Sequence, residues 1–181
     1  MIFEPTPLTG SYTITLTPFS DERGWFARTW CREEFRQIGQ TKDWVQINHS
    51  FTAHAGAIRG MHYQLPPFAE IKMVRCIAGA VFDVMVDLRK GSPSFLQWFG
   101  TELSAENKKM IYIPEGFAHG FQTLAPNSEL IYHHSEYFTP AAERAIPYDD
   151  PGLAIKWPLA PTDISERDRL HPALNNGFAG I

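Results

Sequence analysis

Apolar and polar residues alternate along several short segments of the chain, and Pro and Gly recur between these segments. A period of two that is broken at short intervals by turn residues predicts many short strands folded as a sandwich or barrel. The clearest strand covers residues 80–88, where one face is apolar throughout and the other carries Asp83 and Asp87. Further strands are predicted at residues 13–17, 25–30, 44–50, 111–113 and 130–133.

Helical signals are few and short. Residues 32–38 predict a helix, because Glu33 and Glu34 stand in the first turn and Gly39 follows the last. Ser165 and Asp168 have capping-box spacing and predict a second short helix over residues 165–170. The remainder after residue 140 is expected to be rich in loops. No linker divides the chain, so we predict a single domain over residues 1–181.

Charge and composition exclude several classes of function. The 181 residues include 16 Lys and Arg against 20 Asp and Glu, so no basic excess favours nucleic acid or a membrane surface. The longest apolar run is too short to cross a bilayer. Cys31 and Cys76 lack metal-ligand spacing, and no signal peptide is visible. We therefore expect a cytoplasmic protein with reduced thiols.

The segment 44–50 has an unusual polar face. Alternation places Gln46, Asn48 and Ser50 on one side of the predicted strand, opposite Val45 and Ile47. This face is either solvated or forms the polar wall of a cavity inside a barrel, where a ligand takes the place of core side chains.

Residues 59–64, with the sequence RGMHYQ, carry the strongest chemical signal. Arg59 can hold a phosphate, His62 can move a proton, and Lys72 on a nearby strand can stabilise an oxyanion. Strict alternation would put Arg59 and His62 on opposite faces, but Gly60 permits a bulge that turns both inward. The set predicts proton abstraction beside a carbonyl in a substrate that has a phosphate group.

The same region argues against a metal centre of the cupin type. A metal-binding cupin barrel supplies a His-x-His pair, a carboxylate and a last His near a Pro-x-Gly turn. Here the pair reads His62-Tyr63-Gln64, and His119 takes the last position. Two imidazoles and a Lys are a poor divalent site, because the Lys must lose its proton to coordinate. We predict no metal and no organic cofactor.

Several motifs, taken together in their order, resemble the dTDP-4-dehydrorhamnose 3,5-epimerase family, the metal-free cupins of deoxysugar biosynthesis. They are DERGWF (21–26), QINHS (46–50), RGMHYQ (59–64), VFDVMVDLRKGS (81–92), IPEGFAHGF (113–121) and SERD (165–168). The resemblance implies an all-β, double-stranded β-helix (jelly-roll) barrel. It also implies an isomerase that inverts C3, C5 or both in a nucleotide-linked 4-keto-6-deoxyhexose.

The resemblance further implies a role for each matching residue. His62 matches the general base, Asp168 its acidic partner, Lys72 the residue near the keto oxygen, and Tyr132 the acid on the opposite face. Pyrophosphate-binding and pocket-lining roles fall to Arg23, Arg59, Phe26, Gln46, Asn48, Ser50 and His119. In the family a partner subunit contributes the region from Arg23 to Phe26, so a homodimer is implied.

Structural explanations compete with these roles. Asp168 is also placed to cap a helix, and Asp83 is a second candidate partner for His62. Tyr132 suits a strand regardless of function. Glu70 stands two residues before Lys72, where the family commonly has Gln, and is expected to point the same way and lower the cost of the Lys72 charge.

Arg28 stands where the family usually has a Glu that helps to hold the nucleotide base, so the identity of the base stays open. Within the family the alternatives are a mono-epimerase or a 3,4-ketoisomerase acting on another nucleotide sugar. Outside it they are a non-catalytic sugar-binding cupin and a metal-dependent cupin enzyme.

Overall fold

The structure is a computed structural model that describes residues 1–175 and 177–181. Nearly all of its regular structure is β-strand. The strands in the described residues are β1 (Ile2–Pro5), β2 (Tyr12–Thr15), β3 (Phe19–Asp21), β4 (Gly24–Phe26), β5 (Gln46–Thr52), β6 (Ile58–Gln64), β7 (Lys72–Ala78), β8 (Ala80–Asp87), β9 (Trp98–Ser104), β10 (Lys109–Ile113), β11 (Phe117–Thr123), β12 (Ser128–His134) and β13 (Glu143–Ala145). The helices are α1 (Arg32–Phe35), which continues as a 3-10 turn over Arg36–Ile38, and α2 (Glu166–Arg169).

Two antiparallel sheets form the body of the protein. One has six strands in the order β1-β2-β10-β7-β12-β5, and the other has five in the order β13-β6-β11-β8-β9. Apolar side chains from both sheets meet in one core, including Val74 of β7, Met85 of β8, Phe121 of β11 and Leu130 of β12. The predicted all-β sandwich or barrel is confirmed. No helix in the described part of the chain has the length and apolarity to span a membrane.

β6 contains the bulge that Gly60 predicts. His62 pairs with His119 and Arg59 pairs with Phe121, so two residues of β6 face one residue of β11. Gly60 has φ +121, and a Cβ there would lie 2.5 Å from Cα of Gly120. The close approach of the two strands therefore requires glycine. Because the bulge shifts the alternation by one residue, Arg59 and His62 face the same cavity.

The predicted strand over residues 25–30 is wrong beyond Phe26. β4 pairs only with β3 in an isolated hairpin, so the ladder ends where its partner ends. The apolar residues that follow pack instead as a loop, and Ala27 and Trp30 lie against the core cluster around Phe35. The predicted helix over residues 32–38 begins as expected but tightens into the 3-10 turn before Gly39, whose φ is +81.

Asp87 has a structural explanation that the strand pattern does not reveal. It is fully buried, and its carboxylate accepts hydrogen bonds from Arg89 Nε at 2.9 Å and Ser94 Oγ at 2.6 Å. Burial opposes its ionisation, but these bonds and those from Ser92 outweigh burial and lower the pKa of Asp87 to about 2. Asp87 therefore organises the turn after β8 and takes no part in the cavity.

Candidate active site

One large cavity, of about 900 Å³, opens on the polar faces of β5, β6, β7, β11 and β12 and on α2. Nine predicted site residues line it: Gln46, Asn48, Ser50, Arg59, His62, Lys72, His119, Tyr132 and Asp168. The polar face of β5 is thus a cavity wall. A concave site lined by several convergent polar groups is the usual setting of ligand binding.

His62 and Asp168 form a hydrogen-bonded pair at this cavity. Nε2 of His62 lies 2.8 Å from Oδ1 of Asp168, whose other oxygen accepts from the backbone N–H of Gly60 at 3.3 Å. Burial disfavours the Asp168 carboxylate, yet the bonds and charge of His62 and the Gly60 N–H hold the pKa of Asp168 below its ordinary value. An ionised Asp168 fixes the His62 tautomer with the proton on Nε2, which leaves Nδ1 free to accept a proton.

Asp168 also belongs to the helix cap, so it both caps α2 and pairs with His62. The backbone N–H of Asp168 donates to Ser165 Oγ at 3.1 Å, and Ser165 is the N-cap of α2. The cap sets the position of the Asp168 backbone, and its side chain then reaches β6. The alternative partner Asp83 is wrong, because its carboxylate binds His119 Nε2 at 2.9 Å instead.

Lys72 lies in a buried charge network with Glu70 and His134. Nζ of Lys72 is 3.0 Å from Oε1 of Glu70, and Nδ1 of His134 is 2.6 Å from Oε2. Burial opposes ionisation of Glu70, but His134 and Lys72 outweigh it and lower the pKa of Glu70. The expectation that Glu70 points the same way as Lys72 and lowers the cost of its charge is confirmed. The network fixes the Lys72 ammonium in the cavity wall, where it can contact a negatively charged oxygen of the substrate.

Tyr132 projects into the cavity from β12. Its hydroxyl lies 3.0 Å from Ser50 Oγ, and its ring stacks on His134 with centroids 6.2 Å apart. Burial raises the pKa of the Tyr132 phenol well above its ordinary value, against the opposing effect of Ser50. The phenol is therefore protonated at neutral pH and available as a proton donor.

His119 and Asp83 are packed behind this ring. Both side chains are buried, and the His119 ring meets the Tyr132 ring edge-on at 6.4 Å. Burial raises the pKa of Asp83 in spite of the His119 imidazole beside it. The pair therefore packs against the Tyr132 ring and helps to fix its position.

Arg59 and the β3–β4 hairpin are the two predicted sources of phosphate-binding charge, and they lie apart. Arg59 lines the cavity, with Nε 3.2 Å from Thr52 Oγ1. Arg23 and Phe26 lie on the hairpin, outside the cavity, and line a small groove of their own. Within one chain, the structure does not bring them to the other site residues.

Sequence reasoning missed two histidines. His134 lies two residues after Tyr132 on the same strand, and this spacing was a usable signal because alternate residues share a face. His171 follows Asp168 by three residues, and its Nε2 is 3.6 Å from Asp168 Oδ1. Its position beyond the short helix α2 gives no periodic pattern, so only the structure finds it.

A two-sheet β-barrel with an imidazole–carboxylate pair, an ammonium and a phenol around one cavity defines a cupin-type enzyme of proton-transfer chemistry. The model of the dTDP-4-dehydrorhamnose 3,5-epimerase family matches residues 5–176. This chain belongs to that family, and it is accordingly an epimerase, an enzyme of the isomerase class.

Individual relatives agree with the family assignment. The dTDP-4-dehydrorhamnose 3,5-epimerase of Pseudomonas aeruginosa is 46% identical over 153 residues, which cover 83% of each chain. A solved Legionella pneumophila 3,5-epimerase in complex with dTDP-4-keto-L-rhamnose has a TM-score of 0.88 at 40% identity, covering 92% of this chain and 89% of that one. A Streptomyces bikiniensis 3′-monoepimerase in complex with dTDP-quinovose has a TM-score of 0.85 at 33% identity, covering 93% and 86%.

Proposed function

We propose that this protein inverts C3 and C5 of a nucleotide-linked 4-keto-6-deoxyhexose, as a dTDP-4-dehydrorhamnose 3,5-epimerase. The observation that carries the proposal is the pairing of His62 with Asp168 at the same cavity that Lys72 and Tyr132 line. The ketone at C4 acidifies the C–H bonds on both neighbouring carbons. One base can therefore act at C3 and at C5, according to how the sugar ring lies.

His62 is proposed as the general base. Its side chain is 29% exposed while that of Asp168 is 6% exposed, so the imidazole faces the cavity and the carboxylate stands behind it. As Nδ1 takes the proton, the imidazole becomes a cation, and the adjacent Asp168 carboxylate stabilises that charge. Asp168 acts through His62 and needs no contact with the substrate.

Lys72 is proposed to stabilise the enolate oxygen at C4. Negative charge develops on that oxygen as the proton leaves, and an ammonium already fixed in the cavity wall needs no reorganisation at that moment. Glu70 and His134 hold Lys72 in place through the contacts of 3.0 Å and 2.6 Å.

Tyr132 is proposed to return a proton on the face opposite to His62. The two residues belong to different sheets, since β6 is in the five-stranded sheet and β12 in the six-stranded one. A sugar ring bound between the sheets would present one face to each residue. Removal on one face and delivery on the other is what inversion requires.

Recognition of the nucleotide diphosphate is proposed to involve both charged and polar groups. Arg59 binds the pyrophosphate, and the pocket wall is formed by Gln46, Asn48, Ser50 and His119. We propose that Arg23 and Phe26 complete the site from the second subunit of a homodimer of single-domain, cytoplasmic chains. The exposed side chains of Phe19, Trp25 and Phe26 support this, since an exposed apolar cluster of this kind marks an interaction surface.

A mono-epimerase acting at C3 alone is the second candidate. It is favoured by the likeness to the Streptomyces bikiniensis 3′-monoepimerase, which has a similar fold over nearly the same share of the chain. The higher identity to 3,5-epimerases supports inversion at both carbons.

The test is a panel of nucleotide-linked 4-keto-6-deoxyhexoses, with different bases, incubated with the enzyme in deuterated water and followed by NMR. We expect deuterium at C3 and C5 with inverted configuration at both. Deuterium at C3 alone would establish the mono-epimerase. Exchange that His62→Ala and Tyr132→Phe both leave at the wild-type rate would overturn the assigned roles.

A further inference from the structure

His171 lies beside the His62–Asp168 pair behind the catalytic cavity, and the proposed reaction does not use His171. Nε2 of His62 and Nε2 of His171 lie 2.8 Å and 3.6 Å from Oδ1 of Asp168, and the three atoms are within 4.8 Å of one another. We propose that these groups form a binding site for a divalent transition-metal ion of the Zn²⁺ type, and that the bound ion inhibits the enzyme.

The donor set suits such an ion. Two imidazoles and one carboxylate leave a fourth position for water, as in many zinc sites. Adjacent donors around a tetrahedral ion at 2.0–2.1 Å are roughly 3.3 Å apart, and the observed separations of 2.8 Å and 3.6 Å lie on either side of that value.

The arrangement of the two imidazole rings also suits a shared tetrahedral ion. The His62 and His171 rings are nearly perpendicular, at 86°, with centroids 6.0 Å apart. Two imidazoles that bind one tetrahedral ion through Nε2 have centroids about 5 Å apart. A closing movement of about 1 Å by the His171 side chain, which is 18% exposed, is therefore enough to complete the site.

His171 gives a second, independent indication of a ligand. Its Nε2 is buried and has no hydrogen-bond partner among the residues that the structure describes. Buried polar atoms are nearly always satisfied, because leaving one unpaired costs about 1–3 kcal/mol. An ion between His171 and Asp168 would supply the missing partner.

The proposed site shares His62 with the metal position of other cupins but does not use the imidazole of His119, which matches the last ligand of that position. Here Nε2 of His119 is 2.9 Å from both carboxylate oxygens of Asp83 and is already engaged. The ion would bind Nε2 of His62 together with Asp168 and His171, which take the place of the missing ligands.

Inhibition follows because a neutral imidazole has one N–H proton to place on its two nitrogens. This part of the inference rests on the proposed role of His62. A neutral imidazole carries one N–H. When Nε2 binds the ion, that proton resides on Nδ1, so Nδ1 has no lone pair to accept a proton from the substrate. The ion also takes the Asp168 oxygen that would stabilise the imidazolium.

The binding test uses Zn²⁺ in competition with a chromophoric chelator, on the full-length wild-type protein, His171→Ala and His54→Ala. His54 is the matched control, because it is an exposed histidine at the cavity that pairs with Asp163 at 2.7 Å. Loss of even an outer-shell partner weakens metal sites by about 10–100-fold. We therefore expect at least a tenfold loss of affinity in His171→Ala and none in His54→Ala.

His171→Gln provides a second variant if the alanine protein is poorly folded, and thermal unfolding checks both. Equal Zn²⁺ affinity in wild type and in a folded His171 variant would overturn the metal site. In the activity arm, we expect Zn²⁺ to inhibit wild type and His54→Ala, with His171→Ala active and resistant. Binding that depends on His171 without inhibition would overturn the inhibitory role. Absence of epimerase activity without Zn²⁺ would instead count against the proposed function, and the binding assay would still test the site.

Discussion

Nε2 of His62 and Oδ1 of Asp168 are 2.8 Å apart although 106 residues separate them along the chain. The first belongs to a bulged strand in the five-stranded sheet and the second to a capped helix of four residues. The proposed base thus depends on two local features that position the pair: the Gly60 N–H donates to Asp168 Oδ2, and Ser165 Oγ accepts from the Asp168 N–H.

The charge of Asp168 should make stability depend on pH. Because its folded-state pKa is lowered from 3.8, Asp168 stabilises the fold above that value, and this contribution is lost as the pH falls through the lowered pKa. We expect Asp168→Asn to lower the urea midpoint at pH 7 and to lower it less at pH 3, where the unfolded chain is already largely protonated at Asp168. A deficit of equal size at both pH values would contradict the assignment.

Removal of the Tyr132 hydroxyl should separate exchange from inversion. In Tyr132→Phe, His62 still removes the proton, so deuterium enters from the His62 face. Delivery on the opposite face should fall by about 10²–10⁴-fold. NMR of the product in deuterated water checks this. Tyr112→Phe is the control, because burial also raises the pKa of Tyr112, to about 12, while its ring packs against Phe35 in the core.

Arg59→Gln should weaken substrate binding more than catalysis. A hydrogen bond to a charged group contributes about 1.5–3 kcal/mol, so KM should rise roughly 10–100-fold with little change in kcat. Steady-state kinetics at two salt concentrations test this. Arg144→Gln alters an exposed arginine outside the cavity and should change neither parameter. A fall in kcat alone for Arg59→Gln would assign Arg59 to the chemical step.

Gly60→Ala should disrupt the bulge. The added Cβ would lie 2.5 Å from Gly120 Cα and 2.7 Å from the His119 carbonyl oxygen, both backbone atoms that cannot move away cheaply. Strain of φ at a non-glycine residue and overpacking together should cost at least about 3 kcal/mol. Gly91→Ala also has positive φ but meets no atom within 4 Å, so it should cost only about 1 kcal/mol. Chemical denaturation measures the unfolding free energy of both variants. Equal losses in the two would show that the contact with Gly120 and His119 is unimportant.

Glu70→Gln tests the network around Lys72. Gln keeps one acceptor oxygen, which can serve Lys72, and its NH2 group can donate to Nδ1 of a neutral His134, but the charge is removed. We therefore expect a loss of about 1–2 kcal/mol in unfolding free energy. Activity should stay within about tenfold, because Lys72 keeps its charge and a partner. Glu70→Leu leaves both partners without an acceptor and should lower kcat far more. Equal kcat in the two variants would show that Glu70 does not position Lys72.

Site residues on strands with alternating polar and apolar positions were predictable from sequence. Site residues that loops bring to the cavity were not. The polar face of β5 and the bulge at Gly60 follow from local rules of alternation and glycine geometry, and the structure confirms both. The choice between Asp83 and Asp168 as the partner of His62 depends on where α2 packs after the strands have formed. No local pattern encodes that docking, and the unpaired Nε2 of His171 was hidden for the same reason.

The end of β4 at Phe26 shows a second limit of prediction from local sequence. Residues 25–30 include three aromatic residues that favour a strand, but strand formation also requires a partner with free backbone groups, and β3 offers only three residues. Arg23 and Phe26 consequently lie on a short hairpin away from the cavity. Their proposed contribution across a dimer interface stays a prediction that oligomeric-state measurements on Phe26→Ser can test.

Every strand of both sheets precedes Asp168 along the chain. During synthesis on a ribosome, the two sheets are therefore translated before the carboxylate that pairs with His62 emerges. A chain that ends before α2 would lack both Asp168 and the part of the cavity wall that α2 supplies. We therefore expect catalytic competence to arise only after α2 has packed against β6.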